Sequence, residues 1–279
     1  TIDNQAETMG QNDAYIIECV RTPIAIGKAN GALHQVHPVT LLSQVLDAVT
    51  NRVDVNKGLV EDVICGIVTP VKEQGSNLPR LALLKAGYPV TVPAVQLNRM
   101  CGSGQQAVHF AAQGIESGDN EVVIGCGVEL MSVCQMGADA DPALFSMDPT
   151  KQLKFAPFPH KLVHQGYSAD IIAEKYGITR QQLDDFSIES HRRCFEANKN
   201  GVFKSQILPV KVKKDDREVW FTQDEGVRYP VDKEKMSQLK TIFRKNGFIT
   251  AANASQISDG AAAVLLMSGS KADELGLKK

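Results

Sequence analysis

The sequence predicts an α/β protein with a largely parallel sheet covered on both faces by helices. Two observations carry this. Apolar, strand-like runs alternate with segments of helical periodicity over 14–127, the pattern of strands buried from both sides. The 279 residues are 43% hydrophobic and 22% charged, which is ordinary for a globular chain and leaves ample material for a packed core.

The elements follow in order. Ala-Tyr-Ile-Ile-Glu-Cys-Val at 14–20 is a buried strand, ended by Arg21-Thr22-Pro23. Pro38 suits the first turn of a helix whose apolar face is Leu41, Leu42, Val45, Leu46 and Val49. A second strand spans 60–68, and a short helix over 78–86 stops at Gly87. A third strand at 93–97 runs into Cys101, a helix follows over 102–117, and 121–127 is a fourth strand. Beyond it, 131–163 carries Met and Pro without a period and reads as a long loop. Helices are predicted over 169–176, stopped by Gly177, and from a Thr179/Gln182 capping box to Asn198. A strand at 207–212 and a solvated, charge-rich hairpin over 211–218 come next. Regular structure resumes at 247–252, with a buried strand at 261–267 and a capped helical turn at 270–275. Residues 128–246 therefore look like an insertion into one α/β layer formed by 14–127 and 247–279, behind a disordered tail at 1–13.

A net charge of −2 argues against nucleic acid or a membrane surface as the main partner. No apolar run approaches the roughly 18 residues of a membrane span, and the polar tail is no signal peptide. Together these point to the cytoplasm. Six cysteines show no Cys-x-x-Cys spacing, so no metal site is indicated. Cys19, Cys65 and Cys126, in or beside apolar runs, read as buried small hydrophobes.

Leu97-Asn98-Arg99-Met100-Cys101-Gly102-Ser103-Gly104 places a cysteine where a strand hands over to a helix. Three readings compete. Cys101 is a buried thiol beside turn glycines, or Gly102-x-Gly104-x-x-Ala107 is a dinucleotide fingerprint of an NAD-binding oxidoreductase with Glu129 beyond the next strand. In the third, Cys101 is a nucleophile at a helix N-terminus, with glycines that let backbone N–H groups approach a carbonyl. A phosphatase-type loop is excluded, because Ala107 stands where its Arg belongs.

Asn98-Arg99-Met100-Cys101-Gly102-Ser103-Gly104 resembles the acylated-cysteine motif of thiolases. Arg21-Thr22-Pro23 is similar to the family's opening. Gly125-Cys126-Gly127-Val128-Glu129-Leu130-Met131-Ser132 resembles G-G-x-E-x-M-S, with Cys126 in place of Gly or Ala. The stretch 173–180 with Ser190-His191 matches the helical loop domain, and 250–262 resembles T-A-G-N-[AS]-S-x-x-[NS]-D-G-A, with Ala252 for Gly. The resemblance implies a thiolase-like N-terminal α/β domain with a mixed, mainly parallel sheet. It also implies an inserted, mostly helical loop domain over 128–246 for CoA and oligomer contacts.

The implied reaction is acyl-CoA plus acetyl-CoA to 3-oxoacyl-CoA and CoA, or the reverse thiolysis, through an acyl-thioester at Cys101. The resemblance further implies CoA contacts from Arg228, Ala252, Ser255 and His164. It implies no tightly bound cofactor, CoA thioesters as substrates, no metal, and a homodimer or homotetramer. A non-catalytic CoA-binding module is the other alternative. Family members continue through a second half carrying a G-H-P-x-G His and a C-x-G Cys, motifs missing from this sequence. Little turnover by these residues alone is therefore expected. Of the six histidines, only His109 lies near Cys101 in sequence.

Overall fold

A computed structural model describes residues 12–140 and 163–279. Most of the expected tail and most of the 131–163 loop lie outside the described residues. Contacts divide the chain into two units, Thr1–Met136 with Ser205–Glu225 and Ser258–Lys279, and Gly137–Lys204 with Gly226–Ile257. This differs from an insertion at 128–246. The first unit keeps the end of its last parallel strand and the 205–225 segment, and 247–257 falls in the second.

The first unit holds β1 (Ala14–Arg21), β2 (Ala25–Ile26), α1 (Pro38–Asn51), β3 (Asp62–Gly66), α2 (Leu78–Lys85), β4 (Ala94–Leu97), α3 (Ser103–Glu116) and β5 (Val122–Leu130). The main sheet has the order β1-β8-β5-β3-β4, with β8 being Ser258–Ser268 and β2 pairing β8. β4, β3 and β5 are parallel neighbours, whereas β8 pairs antiparallel with both β5 and β1. Four of the five long strands thus run one way and β8 alone runs back, which makes the sheet mixed and mainly parallel.

Strand alternation sorts the core. Val63, Cys65, Ile124, Cys126, Leu265 and Met267 face α1 and α2, whose Leu41, Leu42, Val45 and Leu83 are fully buried. The intervening Ile64, Val123 and Leu266 pack on Ala107, Ala111 and Ile115 of α3. Pro38 opens α1 and the His37 side chain accepts from the Val39 N–H at 3.3 Å, which fixes the start the sequence predicted. Gly87, at φ +79, ends α2 as expected. Cys65 and Cys126 are buried, but Cys19 is exposed, a correction to the reading above. Val20 takes the core position beneath α1, and its neighbour therefore points to the opposite face.

The charge-rich stretch forms the hairpin of β6 (Val210–Lys214) and β7 (Arg217–Phe221), turned by Asp215 and Asp216, both with positive φ. The capped helical turn expected at 270–275 is α7 (Gly269–Glu274), and Ser268 caps it by accepting from the Lys271 N–H.

In the second unit, α4 (Gln165–Tyr176) ends at Gly177, and α5 (Arg180–Lys199) begins at the predicted Thr179/Gln182 capping box. α6 (Lys233–Ser237) escaped the sequence reading. The 247–252 segment is no strand. The buried Asp170 carboxylate accepts from the Phe248 and Ile249 N–H groups, and Asn253 Oδ1 accepts from Thr250. Side chains have taken the donors a sheet partner would use.

Candidate active site

A cavity of about 420 Å3 opens in the first unit at the carboxyl ends of the parallel strands, where α/β sheets collect ligands. Cys101 lines it, between β4 and α3, and is exposed. The turn that presents it is held from several sides. Met100 adopts φ +49, uncommon for a residue with a side chain and costing of order 1–3 kcal/mol. Its N–H donates to Asn98 Oδ1 at 2.8 Å, and its carbonyl accepts from Ser103 Oγ at 2.6 Å and from the Ser103 N–H at 3.0 Å. Ser103 Oγ also accepts from the Arg99 N–H at 2.9 Å. The Arg99 guanidinium bonds Gln106 one turn into α3.

Glycines let α3 sit directly on the sheet. A Cβ at Gly66 would stand 2.4 Å from the Ser103 carbonyl carbon, and one at Gly125 would stand 2.8 Å from Val108 Cα. No side chain caps α3, since its N-cap is Gly102. Gly104 lines the cavity with open space where a Cβ would be. The positive end of the helix dipole therefore faces the cavity beside Cys101.

Other walls are supplied by loops and strand ends. Arg21 is ion-paired to Asp224 at 2.7 Å, and the Asp224 carboxylate also accepts from the Ile24 N–H at 2.8 Å. The Glu129 carboxylate accepts from the Val68 N–H and from Gln74 Nε2, each at 2.7 Å. Asp259 is fully buried; Oδ1 accepts from the Ser132 N–H at 2.9 Å, while Oδ2 has no partner among the described residues. Burial pushes the Asp259 carboxyl above its ordinary range, against the opposing hydrogen bond from Ser132. Burial, with Cys126 beside it, likewise pushes the Cys65 thiol well up, so that thiol stays protonated and inert.

The dinucleotide reading does not survive this geometry. Both oxygens of Glu129, the acid that would take a ribose, are bound within the first unit. The Gly102–Gly104 turn instead serves a cysteine that reaches the cavity. His109 is exposed on α3 and is not among the residues lining the cavity, and no histidine among the described residues lines it.

Arg228, Ala252, Ser255 and His164 all lie in the second unit. Gln256 Nε2 donates to the Gly226 carbonyl at 2.8 Å and so ties the segment before Arg228 to the one after Ser255. The Arg228 N–H donates to His191 Nδ1 at 3.2 Å. Burial, and then the Arg228 charge, hold His191 below its ordinary range. The Ala252 N–H donates to Thr250 Oγ1 at 3.2 Å, and Ser255 is exposed. His164 caps α4 through Nδ1 and stacks on Phe243 at 5.0 Å. A bridge between Thr241 and Thr250 links that neighbourhood to the turn bearing Ala252.

The sequence offers Glu129 only as the ribose acid of the dinucleotide reading, and gives Asn98 and Asp259 no role beyond their place in the motifs at 98–104 and 250–262. The available signal was a polar residue at the end of each apolar run, where a strand side chain meets a loop.

Residues 14–270 match the family described as thiolase, N-terminal domain. An acetyl-CoA acetyltransferase of Chromobacterium violaceum is 40% identical over 273 residues, 95% of this chain and 69% of its own length. A 3-ketoacyl-CoA thiolase of Bacillus subtilis is 38% identical over 276 residues, 95% of this chain and 68% of its own. A steroid 3-ketoacyl-CoA thiolase of Mycobacterium tuberculosis is 37% identical over 270 residues, 95% and 64% respectively. The crystal structure of the Bacillus anthracis acetyl-CoA acetyltransferase superposes with a TM-score of 0.82 at 34% identity, covering 95% of this chain and 68% of that one. The chain thus spans about two thirds of the length of the proteins it matches.

Proposed function

We propose, because this chain belongs to the thiolase family of acyltransferases, that Cys101 is its acyl carrier in exchange between CoA thioesters. One observation carries the reading: Cys101 stands on a strained turn at a helix N-terminus, exposed to a cavity at the strand ends. In the first half-reaction Cys101 Sγ bonds to the thioester carbonyl carbon. The bond from that carbon to the CoA sulfur breaks, and CoA leaves as the thiol with the proton Cys101 gives up. Backbone N–H groups at an uncapped helix start suit the oxyanion that develops on the carbonyl oxygen. In condensation the alpha carbon of a second acyl-CoA gives up a proton and bonds to the acyl carbon, and the Cys101 sulfur leaves and takes a proton back. In thiolysis Cys101 instead bonds to the 3-oxo carbon of a 3-oxoacyl-CoA, and the bond from that carbon to the alpha carbon breaks. Acetyl-CoA leaves with the proton on its alpha carbon, and the acyl group passes to the sulfur of CoA, whose proton returns to Cys101.

Arg228, Ala252, Ser255 and His164 belong to the proposal as CoA contacts, supported by their place in one unit and by the cation at Arg228, which suits a phosphate. Homo-oligomers and a reducing, cytoplasmic compartment belong to it too; the compartment is supported by six cysteines without a disulfide.

The half-reaction is the test, because it needs only the sulfur and a CoA thioester. Incubation with acetyl-CoA should add one acetyl group, mapped by peptide mass spectrometry to Cys101 and missing from Cys101→Ser. A Cys101 left unmodified at saturating acetyl-CoA overturns the reading. Bound CoA without transfer would leave a non-catalytic CoA-binding module.

A further inference from the structure

Three loops at the strand ends are tied to one another by side chains around Cys101. At the end of β5, Glu129 accepts from the Val68 N–H at 2.7 Å. Val68 follows β3, and its carbonyl accepts from Asn98 Nδ2 at 2.8 Å. Asn98 follows β4, and its Oδ1 accepts from the Met100 N–H at 2.8 Å. Met100, at φ +49, precedes the nucleophile.

Each link has a chemical requirement. The Asn98 carboxamide must donate at one end and accept at the other. An aspartate there would turn an acceptor toward the Val68 carbonyl and lose that bond. Glu129 must accept twice, because Gln74 Nε2 also donates to it at 2.7 Å. A glutamine could accept at only one of its two terminal atoms. Asn98 is exposed, so its carboxamide is not there to satisfy a buried group. Its two bonds bridge the loop after β3 to a backbone conformation that residues with side chains rarely adopt.

We propose that Glu129 and Asn98 are positioning residues for Cys101, acting in series through the backbone of Val68 to hold the Met100 turn and so aim the sulfur. This rests on the acyl-transfer reading for its chemical consequence, but the aim of the sulfur is measurable without CoA. Neither residue donates a proton or touches the acyl group in this role.

The test compares the wild-type chain with Asn98→Ala, Asn98→Asp, Glu129→Gln and the Asn98→Ala/Glu129→Gln double variant. Two rates are measured on Cys101: acetylation by acetyl-CoA and alkylation by iodoacetamide. Misplacement of a reacting atom by about 1 Å costs up to about a hundredfold. Acetylation at saturating acetyl-CoA should therefore fall about tenfold or more in Asn98→Ala, with the half-saturating concentration unchanged and melting close to wild type. Asn98→Asp should behave as Asn98→Ala does, and iodoacetamide should report a fall in the same order. Residues acting in series are not additive, so the double variant should lose no more than Asn98→Ala alone.

Wild-type rates with both reagents in Asn98→Ala would overturn the proposal. So would losses from Asn98→Ala and Glu129→Gln that multiply. Should wild-type Cys101 take no acetyl group, the acyl-transfer reading fails and the iodoacetamide rates alone decide the positioning role. Should Glu129→Gln not fold, the two substitutions at exposed Asn98 decide it.

Discussion

A Cβ on Gly66 would lie 2.4 Å from the Ser103 carbonyl carbon and 2.5 Å from the Gly104 nitrogen. Those atoms are helix backbone and cannot swing aside. Gly66→Ala should therefore destabilise the protein by about 1–3 kcal/mol, as overpacking does, and slow acetylation of Cys101 because α3 must lift. Urea denaturation and the acetylation rate check the two halves. Asp259 carries a different cost. Its folded-state pKa lies above the ordinary value of 3.8 because it is buried. Between the unfolded and folded values the native state binds more protons than the unfolded chain. Stability therefore falls as pH rises through that window and stays reduced at neutral pH. Asp259→Asn keeps an acceptor for the Ser132 N–H and removes the titration. The variant should melt higher than wild type at pH 7, and the gap should close as pH falls toward the ordinary carboxylate value. A gap independent of pH would contradict the assignment.

At the scale of elements, the regular pieces were legible wherever local signals agreed. Pro38 behind a helical apolar face, the Thr179/Gln182 box before α5, and Gly87 and Gly177 at helix ends are such cases. The 247–252 segment was not legible, because its apolar run is tied by the distant Asp170 and by Asn253 rather than by a strand. The contact between His191 and the Arg228 backbone gives this region a reporter. Burial first, and the Arg228 charge second, keep His191 below its ordinary value. A CoA phosphate seated on Arg228 would offset that charge. Adding CoA should move the His191 midpoint upward in an NMR titration, and Arg228→Ala should raise it without CoA and abolish the further shift. A midpoint indifferent to CoA in the wild-type chain would remove Arg228 from the proposed contacts.

Across the whole molecule, the cysteines report which part of the fold faces solvent. Cys101 and Cys19 are exposed, Cys194 is half-buried, and Cys65, Cys126 and Cys134 are buried. Native-state alkylation with peptide mapping should label Cys101 and Cys19 first and Cys194 more slowly. Cys65, Cys126 and Cys134 should stay unlabelled until denaturant is added. Early labelling of Cys65 or Cys126 would contradict the packing of β3 and β5 under α1 and α2. Among the described residues no helix is long and apolar enough to cross a membrane.

By itself the sequence determined the α/β alternation, most helix boundaries, the family, and Cys101 as the residue to watch. Those rest on local information: apolar period, capping chemistry, and a motif contiguous in the chain. The tertiary structure decided that β8 runs against its neighbours and that Cys19 faces away from the core. It also decided that Glu129 is held by the Val68 and Gln74 donors rather than free for a ribose. Strand direction and hydrogen-bond partners join residues far apart in the chain. Glu129 and Val68 are separated by 61 positions. No local pattern carries such pairings, because they exist only once the sheet has closed and its strand ends stand side by side.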